Sequence, residues 1–119
     1  MGAPVVHFEI IGKDADTLFN FYSQLFGWKI NADNPMKYGL VDAQGKGIGG
    51  GVAADPEGQH SHVTIYAEVD DPQAYLDKAE QLGGKTVVPV TEIPGMVTFA
   101  MFTDPEGHLI GVVKSEEEG

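Results

Sequence analysis

From Val5 to Ile11 apolar and polar residues alternate, with β-branched side chains prominent, which predicts a strand. Val6, Phe8 and Ile10 fall on one face of it and His7 and Glu9 on the other. Asp14 then stands as an N-cap, and Ala15, Leu18, Phe19, Tyr22, Leu25 and Phe26 recur at helical spacing until Gly27 stops the helix. Residues 28–30, 38–41 and 48–53 predict three short strands, with turns at Asn34-Pro35 and Ala43-Gln44-Gly45.

The pattern then begins again. Val63, Ile65, Ala67 and Val69 alternate with His62, Thr64, Tyr66 and Glu68, and the apolar set suits burial under a helix. Asp71-Pro72 caps that helix, Tyr75, Leu76, Ala79 and Leu82 form its inner face, and Gly83-Gly84 ends it. Residues 85–90, 97–103 and 109–113 are again three strands, joined at Pro94-Gly95 and Asp104-Pro105-Glu106-Gly107. Gly27-Trp28-Lys29 stands where Gly83-Gly84-Lys85 stands in the second half, and Tyr38, Leu40 and Gly50 match Phe99, Met101 and Gly111. The expectation is a single α+β domain over residues 1–119, made of two βαβββ modules at about 4–55 and 60–115. A ferredoxin-like βαββαβ domain would leave two predicted strands without a place.

One helix covers only one face of a four-strand sheet, so each module has a second face to cover. Pairing the uncovered faces would make a partly closed barrel around a small-molecule cavity. His7 and Glu9, with His62, Thr64 and Tyr66, would line it, while Glu68 lies near the strand end and is expected to reach solvent. A carboxylate on such a face needs a partner, so Glu9 is expected to pair with His7 or to contact ligand, and His7 to bond Glu9 or Tyr66. Met36, Met96, Met101 and Phe99 would supply an apolar rim. His60 and His108 flank turns and are expected to be exposed.

Composition narrows the classes. With 119 residues the chain has the size of one domain, and 42% hydrophobic residues is an ordinary globular fraction. The formal charge of −11, with seven scattered Lys and Arg, argues against nucleic acid and would attract cationic ligands. Part of that charge is the Glu116-Glu117-Glu118 tail, expected to be a solvated end. There is no long apolar run for a membrane and no signal-peptide pattern at the start. Zero Cys excludes disulfides and thiolate chemistry, so a cytoplasmic location is expected.

The segments His7-Phe8-Glu9, Phe21-Tyr22-Ser23-Gln24-Leu25-Phe26-Gly27-Trp28, Val69-Asp70-Asp71, Leu82-Gly83-Gly84 and Phe102 to His108 together resemble the vicinal oxygen chelate superfamily. That superfamily includes glyoxalase I, extradiol dioxygenases and bleomycin-resistance proteins. The likeness runs from about Val5 to Val113 and is strongest to small glyoxalase-like members. In its metal-dependent members four inward side chains, usually His or Glu, hold a divalent ion as Lewis acid. The resemblance places these positions at His7, Gly50, Thr64 and Gly111, of which only His7 is a good ligand. The usual metal site is therefore expected to be degenerate, with no cofactor, and the two glycines would open the middle of the cavity to a ligand. A shifted site remains open, because strand residues i and i+2 lie about 6.5–7 Å apart on one face. His7, Glu9 and His62 would form it.

Two functions follow as expectations. One is a metal-independent binding protein for an apolar or cationic small molecule, with His7, Glu9, Gly50, His62, Thr64, Tyr66 and Gly111 as ligand-contacting residues. The other is a lyase, isomerase or dioxygenase that uses a divalent metal at the shifted site or His7 and Glu9 as an acid–base pair. The resemblance and the exposed strand edges both point to a homodimer.

Overall fold

The computed structural model describes residues 2–43, 45–55, 57–58 and 60–115. Gln44 of one predicted turn and the Glu116-Glu117-Glu118 tail lie outside the described residues. The elements run β1 (Val5–Gly12), α1 (Ala15–Phe26), β2 (Ile30–Asn31), β3 (Gly39–Val41), β4 (Gly49–Ala54), β5 (His62–Val69), α2 (Pro72–Gln81), β6 (Lys85–Ile93), β7 (Val97–Thr103) and β8 (Leu109–Lys114). The order is βαβββ twice over, as the hydrophobic pattern predicts.

Local chemistry accounts for both helices. The Asp14 carboxylate accepts the Thr17 N–H at 3.1 Å, which starts α1. Gly27, at φ 72°, closes it by returning its N–H to the Ser23 carbonyl at 2.9 Å. In α2 the Asp71 carboxylate takes the Ala74 N–H at 3.3 Å, and Pro72 sits in the first turn, where no N–H is required.

The chain divides into two compact units, residues 7–64 and residues 1–6 with 65–119. In the first the strand order is β2-β3-β4-β1, with β1 and β4 parallel and the other pairs antiparallel. Val41, Val52 and Ala53 are buried in it. The ring of Trp28 gathers Phe8, Tyr22 and Phe26 at centroid distances of 5.2, 5.4 and 5.1 Å. Trp28 was expected to open a strand, yet β2 begins only at Ile30, because the indole anchors the end of α1 to β1 instead.

The second unit repeats the connectivity as β5-β8-β7-β6, with β5 and β8 parallel. Its core joins Val69, Leu76, Ala100 and Val112, with Phe102 packed against them. Strand β6 runs three residues beyond its expected end at Val90 and passes through Pro89. Shifts in register between Thr86 and Thr91 and the terminal place of β6 in the order explain how a proline fits there.

One expectation about β5 holds only in part. Thr64 and Tyr66, from the polar set, are buried, whereas Val63 is 74% exposed and Ile65 is also exposed. Helix α2 packs on β6, β7 and β8, and it meets β5 at the far end, where Val69 joins Leu76. Within that unit Val69 is thus covered by α2 and Ile65 is not. Among the described residues no helix is long and apolar enough to cross a membrane.

Candidate functional site

Four side chains of the 7–64 unit form a row. His7 Nε2 lies 2.9 Å from the Tyr38 hydroxyl. That hydroxyl donates to Glu9 Oε2 at 2.9 Å, and Glu9 Oε1 meets His62 Nε2 at 2.9 Å. The Glu9 and His62 side chains are 12% and 23% exposed, so this carboxylate gains two neutral or charged donors as it loses water. Strand geometry sets the row up, since His7 and Glu9 are two residues apart on one face of β1. Burial pushes the His7 imidazole below its ordinary value, and the Glu9 charge offsets this only in part.

Tyr38 reaches the row from the turn between β2 and β3. The Asn34 side chain clasps the Tyr38 backbone on both sides, donating Nδ2–H to its carbonyl at 2.8 Å and accepting its N–H at 2.9 Å. Lys37, at φ 52°, bends the chain just before the tyrosine. The phenol then sits over β4 at Gly51, the register partner of Glu9. A methyl group at Gly51 would overlap the Tyr38 ring and hydroxyl.

The same register moves Gly50 from its expected place. Gly50 pairs with Phe8 and a side chain there would run into the Phe8 ring, so it belongs to the aromatic face packed on α1, not to the face of His7. Gly49 and Gly51 are the β4 residues opposite His7 and Glu9. In the other unit Gly111 does pair with Tyr66, and the Tyr66 ring fills the space a side chain at Gly111 would need. Each glycine therefore seats an aromatic ring, rather than opening room for a ligand as expected. His7 bonds Tyr38, a residue the sequence pattern did not single out for the site, and it also feels the charge of Glu9, its expected partner. The Tyr66 hydroxyl points to Met101 Sδ at 3.7 Å, and Met101 is buried core, whereas Met36 and Met96 are exposed.

Both turn histidines are exposed, and each leans on an aspartate: His60 Nδ1 on Asp55 at 3.2 Å and His108 Nδ1 on Asp104 at 3.1 Å. The His108 N–H, bonded to Asp104, holds that carboxyl below its ordinary value.

A profile of the Glyoxalase/Bleomycin resistance protein/Dioxygenase superfamily matches residues 5–112. The chain belongs to this superfamily. Among relatives, it is 27% identical over 109 residues to CFP32 of Mycobacterium tuberculosis, named as a candidate glyoxylase. That match covers 89% of this chain and 42% of CFP32, so the chain spans less than half of its relative's length. Among solved structures, methylmalonyl-CoA epimerase from Mycobacterium tuberculosis superposes with a TM-score of 0.68 at 17% identity, covering 95% of this chain and 88% of the epimerase. A superfamily member from Vibrio splendidus gives 0.64 at 16% identity, covering 96% and 100%. At such identities these structures speak for the fold, which is that of the vicinal oxygen chelate proteins.

The metal that many superfamily members hold does not fit the donor set at the inherited positions. Gly50 and Gly111 carry no donor, and their strands are covered by Phe8 and Tyr66. Thr64 is buried and offers a hydroxyl, a poor ligand for such an ion. The shifted trio His7, Glu9 and His62 does come together, but as a row with Tyr38 inserted between His7 and Glu9. Among the described residues no three His, Cys, Asp or Glu side chains are arranged to share one ion. Tyr38 is the site residue that sequence reasoning missed. Its only signal was Gly49-Gly50-Gly51, which reads as a weak strand until a ring is seen resting on it.

Proposed function

We propose that this superfamily member is a small-molecule-binding protein whose site is centred on the Glu9 carboxylate in place of a metal ion. The observation that carries this reading is the row His7–Tyr38–Glu9–His62, in which one carboxylate accepts from both a phenol and an imidazole. Its charge, within a chain of net charge −11, favours a cationic or apolar–cationic ligand. Residues proposed to contact ligand are His7, Glu9 and His62, with Thr64 on the same face of β5; Gly111, filled by the Tyr66 ring, is dropped together with that ring. Gly50 is dropped from the set. Nucleic acid is not among the proposed partners, because seven basic residues make no phosphate-binding surface. A chain without Cys suits the reducing cytoplasm, the compartment we propose. A homodimer is proposed as well, since Phe21, Leu25 and Phe26 leave an apolar stripe of α1 in water.

The test is calorimetric titration of metal-free protein with a panel of cationic amphiphiles and acyl-coenzyme A thioesters, with product analysis of each mixture. Saturable binding without turnover, weakened in Glu9→Gln, supports the reading. Activity that appears only with added Mn, Fe, Ni or Zn overturns it.

A second reading is favoured by one specific contact, His62 Nε2 to Glu9 Oε1 at 2.9 Å. An imidazole held by a carboxylate is a general acid–base pair, and methylmalonyl-CoA epimerases share this fold. Deuterium uptake into a thioester substrate in heavy water, lost in His62→Gln, would move the assignment from binder to proton-transfer enzyme.

A further inference from the structure

We propose that Tyr38 is the positioning residue of this site, and that by committing its single hydroxyl hydrogen to Glu9 it fixes His7 as the Nε2–H tautomer. The argument is a count of protons. A phenol has one hydrogen to donate. Here it goes to Glu9 Oε2, a carboxylate oxygen that can only accept. At the 2.9 Å contact with His7 the Tyr38 oxygen is therefore the acceptor, and His7 Nε2 must carry the hydrogen. His62 is set the same way, because Glu9 Oε1 accepts from its Nε2. One carboxylate thus orders the direction of these three hydrogen bonds.

The chain is built to hold that phenol in place. Asn34 clasps the Tyr38 backbone with two hydrogen bonds, and Gly51 leaves the space in which the ring rests. The His7 and Tyr38 rings lie nearly parallel, 14° apart with centroids separated by 6.2 Å, which fixes the plane of the imidazole too. Burial disfavours a charge on His7, so the tautomer, rather than an imidazolium, is the state that matters near neutral pH. Resting on the binding function proposed above, the ligand class sharpens. The anionic carboxylate at the centre of the row calls for a protonated amine and disfavours a carboxylate or phosphate.

The experiment is long-range 15N–1H correlation of the imidazole rings at pH 7.5, in wild type, Tyr38→Phe and Asn34→Ala. The phenylalanine keeps the ring over Gly51 and removes only the hydroxyl. The expected result is Nε2–H for His7 and His62 in wild type. In Tyr38→Phe, His7 becomes a mixture of tautomers while His62 is unchanged. Asn34→Ala should blur His7 in the same sense, and it carries the test should Tyr38→Phe fail to fold. A wild-type His7 in the Nδ1–H form, or one indifferent to both substitutions, overturns the proposal. A second arm titrates benzylammonium and benzoate into wild type and Tyr38→Phe. Preference for benzylammonium, reduced about tenfold in the variant, supports the ligand class. Preference for benzoate overturns the class, and no binding of either overturns the binding function while leaving the tautomer result standing.

Discussion

The ring of Tyr38 occupies the space that a side chain on Gly51 would take. This close approach ties a turn residue to the middle of β4 and places a phenol beside Glu9, the register partner of that glycine. Glycine is required at 51 for room, not for backbone freedom. Gly51→Ala should therefore cost about 1–3 kcal/mol by overpacking. In combination with Tyr38→Ala the cost should be less than additive, since the second change removes the overlap. Urea unfolding of the two singles and the double measures the coupling. Additive costs would mean that ring and glycine do not meet.

The Glu9–His62 contact predicts a different asymmetry. Glu9→Gln keeps the shape but leaves one amide facing two donors, so it should destabilise by about 1–3 kcal/mol, the cost of a buried donor left without its acceptor. His62 is more open than Glu9, and His62→Gln should cost less. Thermal unfolding followed by circular dichroism ranks the pair, and a reversed order would count against the carboxylate as the centre of the row.

Acid should weaken the fold in two windows. His7 has a folded pKa below its ordinary 6.5, so the unfolded chain takes up that proton first. Its contribution is complete above about pH 6.5 and is lost as pH falls from there through the folded value. Asp14, Glu80 and Asp104 are also depressed, Asp14 and Asp104 chiefly by backbone N–H groups of Thr17 and His108, and Glu80 by its hydrogen bond with Thr86. Their contributions are present above the ordinary carboxylate range and are lost below it. Replacing His7 with Asn should flatten the upper window and leave the lower one. Stability against pH, measured by urea midpoints for wild type and variant, checks both.

Leu76 is buried within the cluster of Val69, Ala100 and Val112. Leu76→Ala should cost about 2–5 kcal/mol through lost transfer energy and the cavity left behind. The same truncation at Leu82, which is exposed, should cost well under that. Equal effects in urea unfolding would show that α2 is not seated as described.

Sequence alone determined the order of elements, because each rests on local rules. Asp14 and Asp71 cap their helices, Gly27 and Gly83 take left-handed backbone at the ends, and the period of two on β1 sorts His7 and Glu9 from Phe8. It also determined the family, through segments spread along residues 5–112. What only tertiary structure decided was register and reach. Whether Gly50 or its neighbours shared the face of His7 depended on how β4 slid along β1, and one residue of slip exchanges the faces. The exposure of Ile65 depended on where α2 came to rest, which no pattern within β5 encodes. His7 bonds Tyr38, thirty-one positions away. Only the pairing of β3 with β4 and the Asn34 clasp bring that phenol to Glu9, by long-range hydrogen bonds invisible to any local window.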